Sequence, residues 1–574
     1  MERRQFLKIV SLASVSMLGN VPLIAAEKRP NILFIMSDDH SSEAIGAYGG
    51  RLAKLNPTPT IDKLAAEGII CRNTFCTNSI CSPSRASILT GQYSHTNGVT
   101  SLGGRVAEKD QTLPLNLRQA GYQTAVVGKW HLNTQPLSFD FYKVLKGQGN
   151  YDNPTFFERE SPRAKEVKSQ ETGYCSDLIY ENSVKWLEQR DKRKPFALFY
   201  HFKAPHGPWK YHDRYASLYR DLDMPEPESL WDNKEHGSLA TRGHNDELIT
   251  QIGSSVGRRH RSRTQIRYLK KELARQGKKS LVDNLDNLSD DEIKGMSYQA
   301  YVKGYLRCVR GVDDNIRKML EFLKAEGQLD NTIIVYTSDQ GMFLGEHDFI
   351  DKRWMYEESL RMPFIVRYPR AIKAGTATDA LINNTDFAPM LLDYAGVKTP
   401  GSMQGTSFRP ILETRKEPDD WRTATYYRYW LHMAHHYNPA HFGIRTKEWK
   451  LIFFYGQPEK VPKEGKKKSP KSIFTPPGWE LYNMQDDFQE MNNLYGKPGY
   501  AKITKQLKRE LKELREELGD SDDDFPHIKV VVERHWDDDL KESLKISNHL
   551  SENADELNSF EKPEKLKKSK KSKK

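Results

Sequence analysis

The chain has 574 residues, 37% hydrophobic and 29% charged, with ordinary globular composition, which excludes a wholly disordered protein and predicts two subdomains. Five cysteines at irregular spacing exclude a disulfide-stapled scaffold. The net charge of +11 sits mostly at the ends: Lys562–Lys574 holds eight Lys and one Glu, and Arg3, Arg4 and Lys8 oppose Glu2, so the body is nearly neutral and no specific nucleic-acid partner is expected.

At the start, E-R-R-Q-F-L-K leads into an apolar run from Ile9 to Ala26. Paired arginines before such a run resemble a twin-arginine export signal. Ser11, Ser14, Ser16, Gly19, Asn20 and Pro22 interrupt the run, so no stable membrane span is expected. Residues 1–26 read as a cleaved leader, and the protein as exported, to the periplasm or medium of a bacterium. Residues 27–410 read as a catalytic domain and 411–535 as a C-terminal subdomain. Residues 536–574 read as a Lys-rich disordered tail, either simply solvated or a tether to a polyanion.

Between Asn31 and about Pro369, short apolar strands alternate with helical patterns such as Asp177–Gln189 and Tyr301–Lys324. Asn31–Met36 runs into S-D-D-H, Gln123–Val127 into G-K-W-H, Pro195–Tyr200 into H-F-K-A-P-H, and Thr332–Thr337 into S-D-Q-G. This is α/β alternation around a largely parallel sheet. Each polar cluster lies at the carboxyl end of its strand, where open α/β sheets build their sites. Lys210 to about Ser297 loosens into an insertion with a basic run, residues 257–264. Farther on, Tyr426–Trp430, His441–Arg445 and Trp449–Tyr455 read as antiparallel strands, Pro458–Pro477 as an exposed loop, and Leu507, Leu511, Leu514 and Leu518 as one helix stripe.

Two clusters carry chemistry. Asp38, Asp39, Asp339 and Gln340 make a hard, oxygen-rich set that suits one Ca2+ better than zinc. Ser82–Pro83 reads as an N-cap and first turn, which places Cys81 just before a helix start, where N–H groups favour an anion. Arg85 lies one turn in.

The eleven residues Cys81–Gly91, C-S-P-S-R-A-S-I-L-T-G, resemble the signature of the formylglycine-dependent sulfatases. The resemblance implies that Cys81 is oxidised to formylglycine by a formylglycine-generating or sulfatase-maturating enzyme. One hydroxyl of its hydrate attacks sulfur, and loss of a proton from the other expels sulfate. It implies a divalent metal on Asp38, Asp39, Cys81, Asp339 and Gln340. G-K-W-H resembles the family segment in which Lys129 neutralises sulfate and His131 takes a proton. A-P-H-G-P (Ala204–Pro208) resembles the stretch whose histidine, His206, protonates the leaving oxygen; Lys203 is nearby. F-L-G-E-H-D-F-I-D-K-R-W-M-Y-E-E-S (Phe343–Ser359) resembles the segment with the second sulfate-binding lysine, Lys352. His95 resembles a position behind the nucleophile helix, and His40, His432, His435 and His436 read as ordinary histidines.

The resemblance spans Pro30 to about Tyr495 and implies an α/β, alkaline-phosphatase-like fold: a central mixed sheet between helices, plus a smaller C-terminal antiparallel-sheet subdomain. K-G-Q-G-N-Y-D-N-P (Lys146–Pro154) and H-F-G-I-R-T-K-E-W-K-L-I (His441–Ile452) are similar to bacterial N-acetylglucosamine-6-sulfatases, which implies a sulfated glycan as substrate. His441 and Arg445 reach the sugar or, more simply, support their strand. The alternatives are a phosphodiester or phosphonate monoester hydrolase, and a non-catalytic polyanion-binding protein.

Overall fold

The computed structural model describes residues 29–231, 236–242, 252–256, 263–275, 278–460, 474–537 and 540–552. The leader, residues 257–262 of the basic run, residues 461–473 of the exposed loop and residues 553–574 of the tail lie outside the described residues.

A ten-stranded sheet forms the frame. Its strands in chain order are Asn31–Asp38 (β1), Ile69–Cys71 (β2), Gln123–Gly128 (β3), Phe141–Leu145 (β4), Thr155–Arg159 (β5), Val167–Gln170 (β6), Phe196–Pro205 (β7), Thr332–Ser338 (β8), Phe364–Arg367 (β9) and Thr376–Thr378 (β10). The spatial order is β10-β2-β9-β8-β1-β7-β3-β4-β5-β6. The run β8-β1-β7-β3-β4 is parallel, while β9 and β5 join it antiparallel. The expectation of a mixed sheet with a parallel centre holds.

The central strands are buried along their whole length. The pleat sends successive side chains to opposite faces. Ile32, Phe34 and Met36 of β1 pack into one core with Cys81–Thr90 (α1) and Phe387–Tyr394. Leu33 and Ile35 pack into the other with Cys175–Gln189 (α2) and Asp290–Ala325 (α3). The pattern at Tyr301–Lys324 marked only part of α3. The helix starts eleven residues earlier at a capping box, where Ser289 accepts from the Glu292 N–H and Glu292 from the Ser289 N–H. Its first turns carry few apolar residues, so periodicity missed them.

Ala424–Tyr429 (β11), His441–Thr446 (β12), Trp449–Phe454 (β13) and Gly478–Asn483 (β14) form a separate antiparallel sheet in that order. One face, with Tyr427, Tyr429, Ile452 and Phe454, joins the core that holds α1. The other packs on Leu507 and Leu511 of Ala501–Leu518 (α4), the helix expected from the leucine stripe. Leu540–Glu552 (α5) is helical, so a disordered tail does not begin at residue 536.

Candidate active site

Four strand ends converge, as expected. β1 delivers Asp38 and Asp39, β3 delivers Lys129 and His131, β7 delivers His206, and β8 delivers Asp339 and Gln340. Cys81 comes from α1 and Lys352 from the stretch after β8. Gly128 ends β3 at φ +107° with its missing Cβ directed into the His201 carbonyl, so only glycine lets the chain turn Lys129 into the cluster. Asp39, His131, Asp351 and Arg353 have φ of 64°, 58°, 82° and 87°. Such left-handed backbone in non-glycine residues is costly and collects at functional sites.

Cys81 is the first helical residue of α1, not the residue before it. Ile80 occupies the cap position and makes no side-chain cap bond, so the Ser82 N-cap expectation is corrected. The Ser82 hydroxyl instead donates to the His131 carbonyl at 2.7 Å, which ties α1 to the β3 segment. The Cys81 Sγ lies 3.4 Å from Asp38 Oδ1 and 3.9 Å from Asp39 Oδ1, Lys129 Nζ and Gln340 Nε2. Burial pushes its thiol pKa up, with Asp38 and Asp339 adding to the effect against Lys129 and Lys352. A protonated thiol is a weak nucleophile, so the unmodified side chain is poorly suited to attack.

Around it, Asp38, Asp39, Asp339 and Cys81 bring ligand atoms within 4.8 Å of one another, all buried. Arg85 Nε donates to Asp339 Oδ2 at 2.9 Å, Lys129 pairs with Asp38, and Lys352 pairs with Asp39. Three buried carboxylates thus face three buried cations. Burial pushes the Asp339 pKa up to about 7, Asp38 adding its like charge and Arg85 opposing.

The donor set fits a divalent cation. Gln340 Oε1 is buried without a hydrogen-bond partner while its Nε2 points at Asp39, and turning that amide aims the orphan oxygen at the carboxylates. A divalent cation bound among the carboxylates would give that oxygen a partner. The four oxygen donors Asp38, Asp39, Asp339 and Gln340 are of the hard type that Ca2+ prefers.

His131 and His206 border the cluster. Burial, with Lys129 next, pushes the His131 pKa down to about 3, so its imidazole is neutral. His206 Nδ1 donates to the Gly207 carbonyl at 2.7 Å, which leaves Nε2 facing the site, 3.7 Å from Asp39 Oδ2. Burial pushes it down to about 3 as well, while Asp38 and Asp39 pull it back up. A bound anionic ester acts in the same direction as those carboxylates.

Several sequence candidates fall elsewhere. His441 and Arg445 are fully buried: the imidazole packs against Trp354 and Tyr427, and Arg445 Nε bonds Glu357 at 2.9 Å. They support the strand. His95 bonds the Leu518 carbonyl at 2.9 Å, and His40 bonds Tyr336 behind Asp39. All five cysteines are free, so Cys71 and Cys76 do not pair. Lys203 is buried with its Nζ 4.9 Å from the Tyr151 ring centroid.

Sequence reasoning missed other neighbours. Gln148 Oε1 accepts from Lys129 Nζ at 2.5 Å; it lies in K-G-Q-G-N, a segment with no assigned role. Asp351 and Arg353 flank Lys352, and Arg353 Nη1 donates to Asp351 Oδ2 at 3.0 Å. His436 Nε2 lies 3.4 Å from Asp351 Oδ1. The D-K-R spacing was a signal; nothing local marked His436.

A mixed sheet between helices with its ionic cluster at the strand ends is the alkaline-phosphatase-like architecture. The family described as Sulfatase matches residues 30–397, and the N-sulphoglucosamine sulphohydrolase C-terminal family matches residues 345–517. The chain is 41% identical over 518 residues to an N-acetylglucosamine-6-O-sulfatase of Bacteroides thetaiotaomicron, covering 87% of this chain and 88% of the relative. A solved structure of a protein in complex with its substrate D-glucosamine-2-N,6-O-disulfate superposes with a TM-score of 0.73 at 40% identity, covering 87% of this chain and all of that one. A phosphonate monoester hydrolase of Silicibacter pomeroyi, 21% identical with a TM-score of 0.59, covers 85% of this chain and 96% of its own and shares the fold. The chain belongs to the sulfatase family, and it is a sulfuric ester hydrolase.

Proposed function

We propose that this sulfatase removes the 6-O-sulfate from a glucosamine unit of a sulfated glycan, with Cys81 matured to formylglycine. The observation that carries the reading is the position of Cys81: at the start of α1, within 4 Å of Asp38, Asp39, Lys129 and Gln340. The names of the two relatives near 40% identity support the sugar.

The hydrated aldehyde supplies the oxygen nucleophile that a thiol lacks. Asp38, Asp39, Asp339, Gln340 and residue 81 would hold a calcium ion, which would supply Lewis acidity and two positive charges to an otherwise balanced cluster. Arg85 orients the side chain at 81, and Lys129 and Lys352 turn from their carboxylates to the sulfate oxygens. His206 Nε2 gives a proton to the departing sugar oxygen, and His131 takes the proton whose loss releases sulfate. Asp351, Arg353 and His436 border Lys352 and suit sugar hydroxyls, since they combine a carboxylate acceptor with guanidinium and imidazole donors.

The same reading keeps residues 1–26 as a twin-arginine-type leader, 27–410 as the catalytic unit and 411–535 as its C-terminal subdomain. Twin-arginine transport of a folded chain requires a maturating enzyme to oxidise Cys81 in the cytoplasm, before folding buries it.

The test is a turnover panel of sulfated glucosamines beside an aryl phosphonate monoester, run with an aldehyde-selective probe. We expect labelling at residue 81 and fastest release from the 6-sulfates. Faster phosphonate cleavage, or full activity without the aldehyde, overturns the reading.

A further inference from the structure

We infer that Ser254 is a positioning residue for substrate specificity: its hydroxyl holds the His436 ring so that the Asp351–Arg353–His436 group meets a hydroxyl of the sugar. This rests on the sugar-sulfate reading above and adds to it a residue from the insertion, which the sequence left without a role.

Residues 252–256 are fastened on two sides. Toward the Lys352 segment, Ile350 N donates to the Ser254 carbonyl at 3.0 Å, Val256 N to the Asp348 carbonyl at 2.9 Å, and the Ser255 hydroxyl to Asp348 Oδ2 at 2.5 Å. Toward the C-terminal subdomain, Gly253 N donates to the Tyr437 carbonyl at 3.3 Å. The strap thus joins the stretch before Lys352 to the loop that carries His436. Ser254 itself is only 3% exposed.

Its Oγ lies 2.6 Å from His436 Nδ1. The opposite nitrogen, Nε2, is 3.4 Å from Asp351 Oδ1, whose other oxygen accepts from Arg353. A carboxylate accepts only, so the imidazole proton belongs on Nε2, and the Ser254 hydroxyl donates to Nδ1. The Ser254 contact fixes the ring plane, and the carboxylate favours this tautomer. The His436 side chain is 34% exposed, against 10% for Asp351, and at 3.4 Å its Nε2 is held only loosely by the carboxylate, so the Nε2 edge is the donor open to a ligand. Arg353 Nε is buried without a hydrogen-bond partner, a donor still to be used.

Asp351 Oδ1 also lies 3.7 Å from Lys352 Nζ, so inorganic sulfate, which probes the sulfate pocket without any sugar, separates an effect on the sugar from one passed to Lys352. The test compares wild type, Ser254→Ala and Ser254→Thr as full-length matured enzyme, with glucosamine 6-sulfate as substrate and inorganic sulfate as product inhibitor. For Ser254→Ala we expect KM to rise about tenfold at nearly unchanged kcat, the size of one lost hydrogen bond to a binding group. The sulfate inhibition constant stays within about twofold, and Ser254→Thr recovers most of the KM. An unchanged KM, or an equal loss in sulfate affinity, overturns the inference, the latter marking a general packing role. If the wild type releases no sulfate from glucosamine 6-sulfate, the sugar reading falls and takes this one with it. A wild type active on that sugar with an indifferent Ser254→Ala sinks this inference alone.

Discussion

The Tyr427 hydroxyl lies 2.5 Å from the Ser79 hydroxyl, two residues ahead of Cys81. The same phenol donates to the Arg353 carbonyl at 3.3 Å, and Ser79 also bonds the Trp354 carbonyl and Ser359. A strand of the C-terminal sheet therefore joins the Cys81 segment to the segment of Lys352. Arg428 N donates to the Thr77 carbonyl at 3.1 Å and extends that seam.

Tyr427→Phe removes the hub without opening a cavity. We expect kcat to fall about tenfold or more with little change in KM, because the nucleophile and Lys352 lose their common reference. The cost in stability is about 1–2 kcal/mol. Steady-state kinetics with a parallel melting curve checks this; unchanged kcat assigns the phenol to packing alone.

Chelation is expected to abolish turnover and lower Tm. Without the cation the cluster holds balanced charge, but its carboxylates lose a shared partner and Gln340 keeps an orphan oxygen. Calcium is expected to restore both quantities, and zinc to do so poorly, because the ligands are hard oxygens. Calorimetry with each metal reads the result.

His206→Ala is expected to depress release from a sugar sulfate by about 10²–10⁴-fold, and far less from 4-nitrophenyl sulfate. A sugar alkoxide needs a proton to leave and nitrophenolate does not. Equal losses on both esters exclude an acid role for His206.

Asp313 gives a pH signature away from the site. Its carboxylate is buried on α3 and accepts from Thr60 N and Ile61 N. Burial pushes its pKa up to about 6, the backbone donors opposing. Folded pKa above unfolded pKa means the contribution to stability is present at acid pH and is lost as pH rises through about 6. Asp313→Asn lacks that loss, so its Tm relative to wild type should climb between about pH 4 and 6 and level off above. A flat difference refutes the shift.

Much of this site was legible because catalysis needs particular atoms at particular places in the chain. Asp38–Asp39, Lys129–His131, His206 and Asp339–Gln340 each follow an apolar strand, and a parallel sheet carries all such ends to one edge. The α1 signature is equally local. The cap was misread because Ser82–Pro83 is a strong local signal, while tertiary contact turned the Ser82 hydroxyl to the His131 carbonyl.

Sequence alone therefore determined the alternation and the family, and it supplied the candidates for nucleophile, metal ligands and proton transfer. All of these are written in short runs whose spacing is set by backbone geometry. Only tertiary structure decided which distant groups stand beside them. Gln148 reaches Lys129 across a strand, Ser254 meets His436 at a separation of 182 residues, and Tyr427 meets Ser79 at 348. His441 and Arg445, attractive in the sequence, turned inward to stack and pair. Such pairings depend on how the C-terminal sheet and the insertion pack against the core, and packing leaves no periodic mark on either partner.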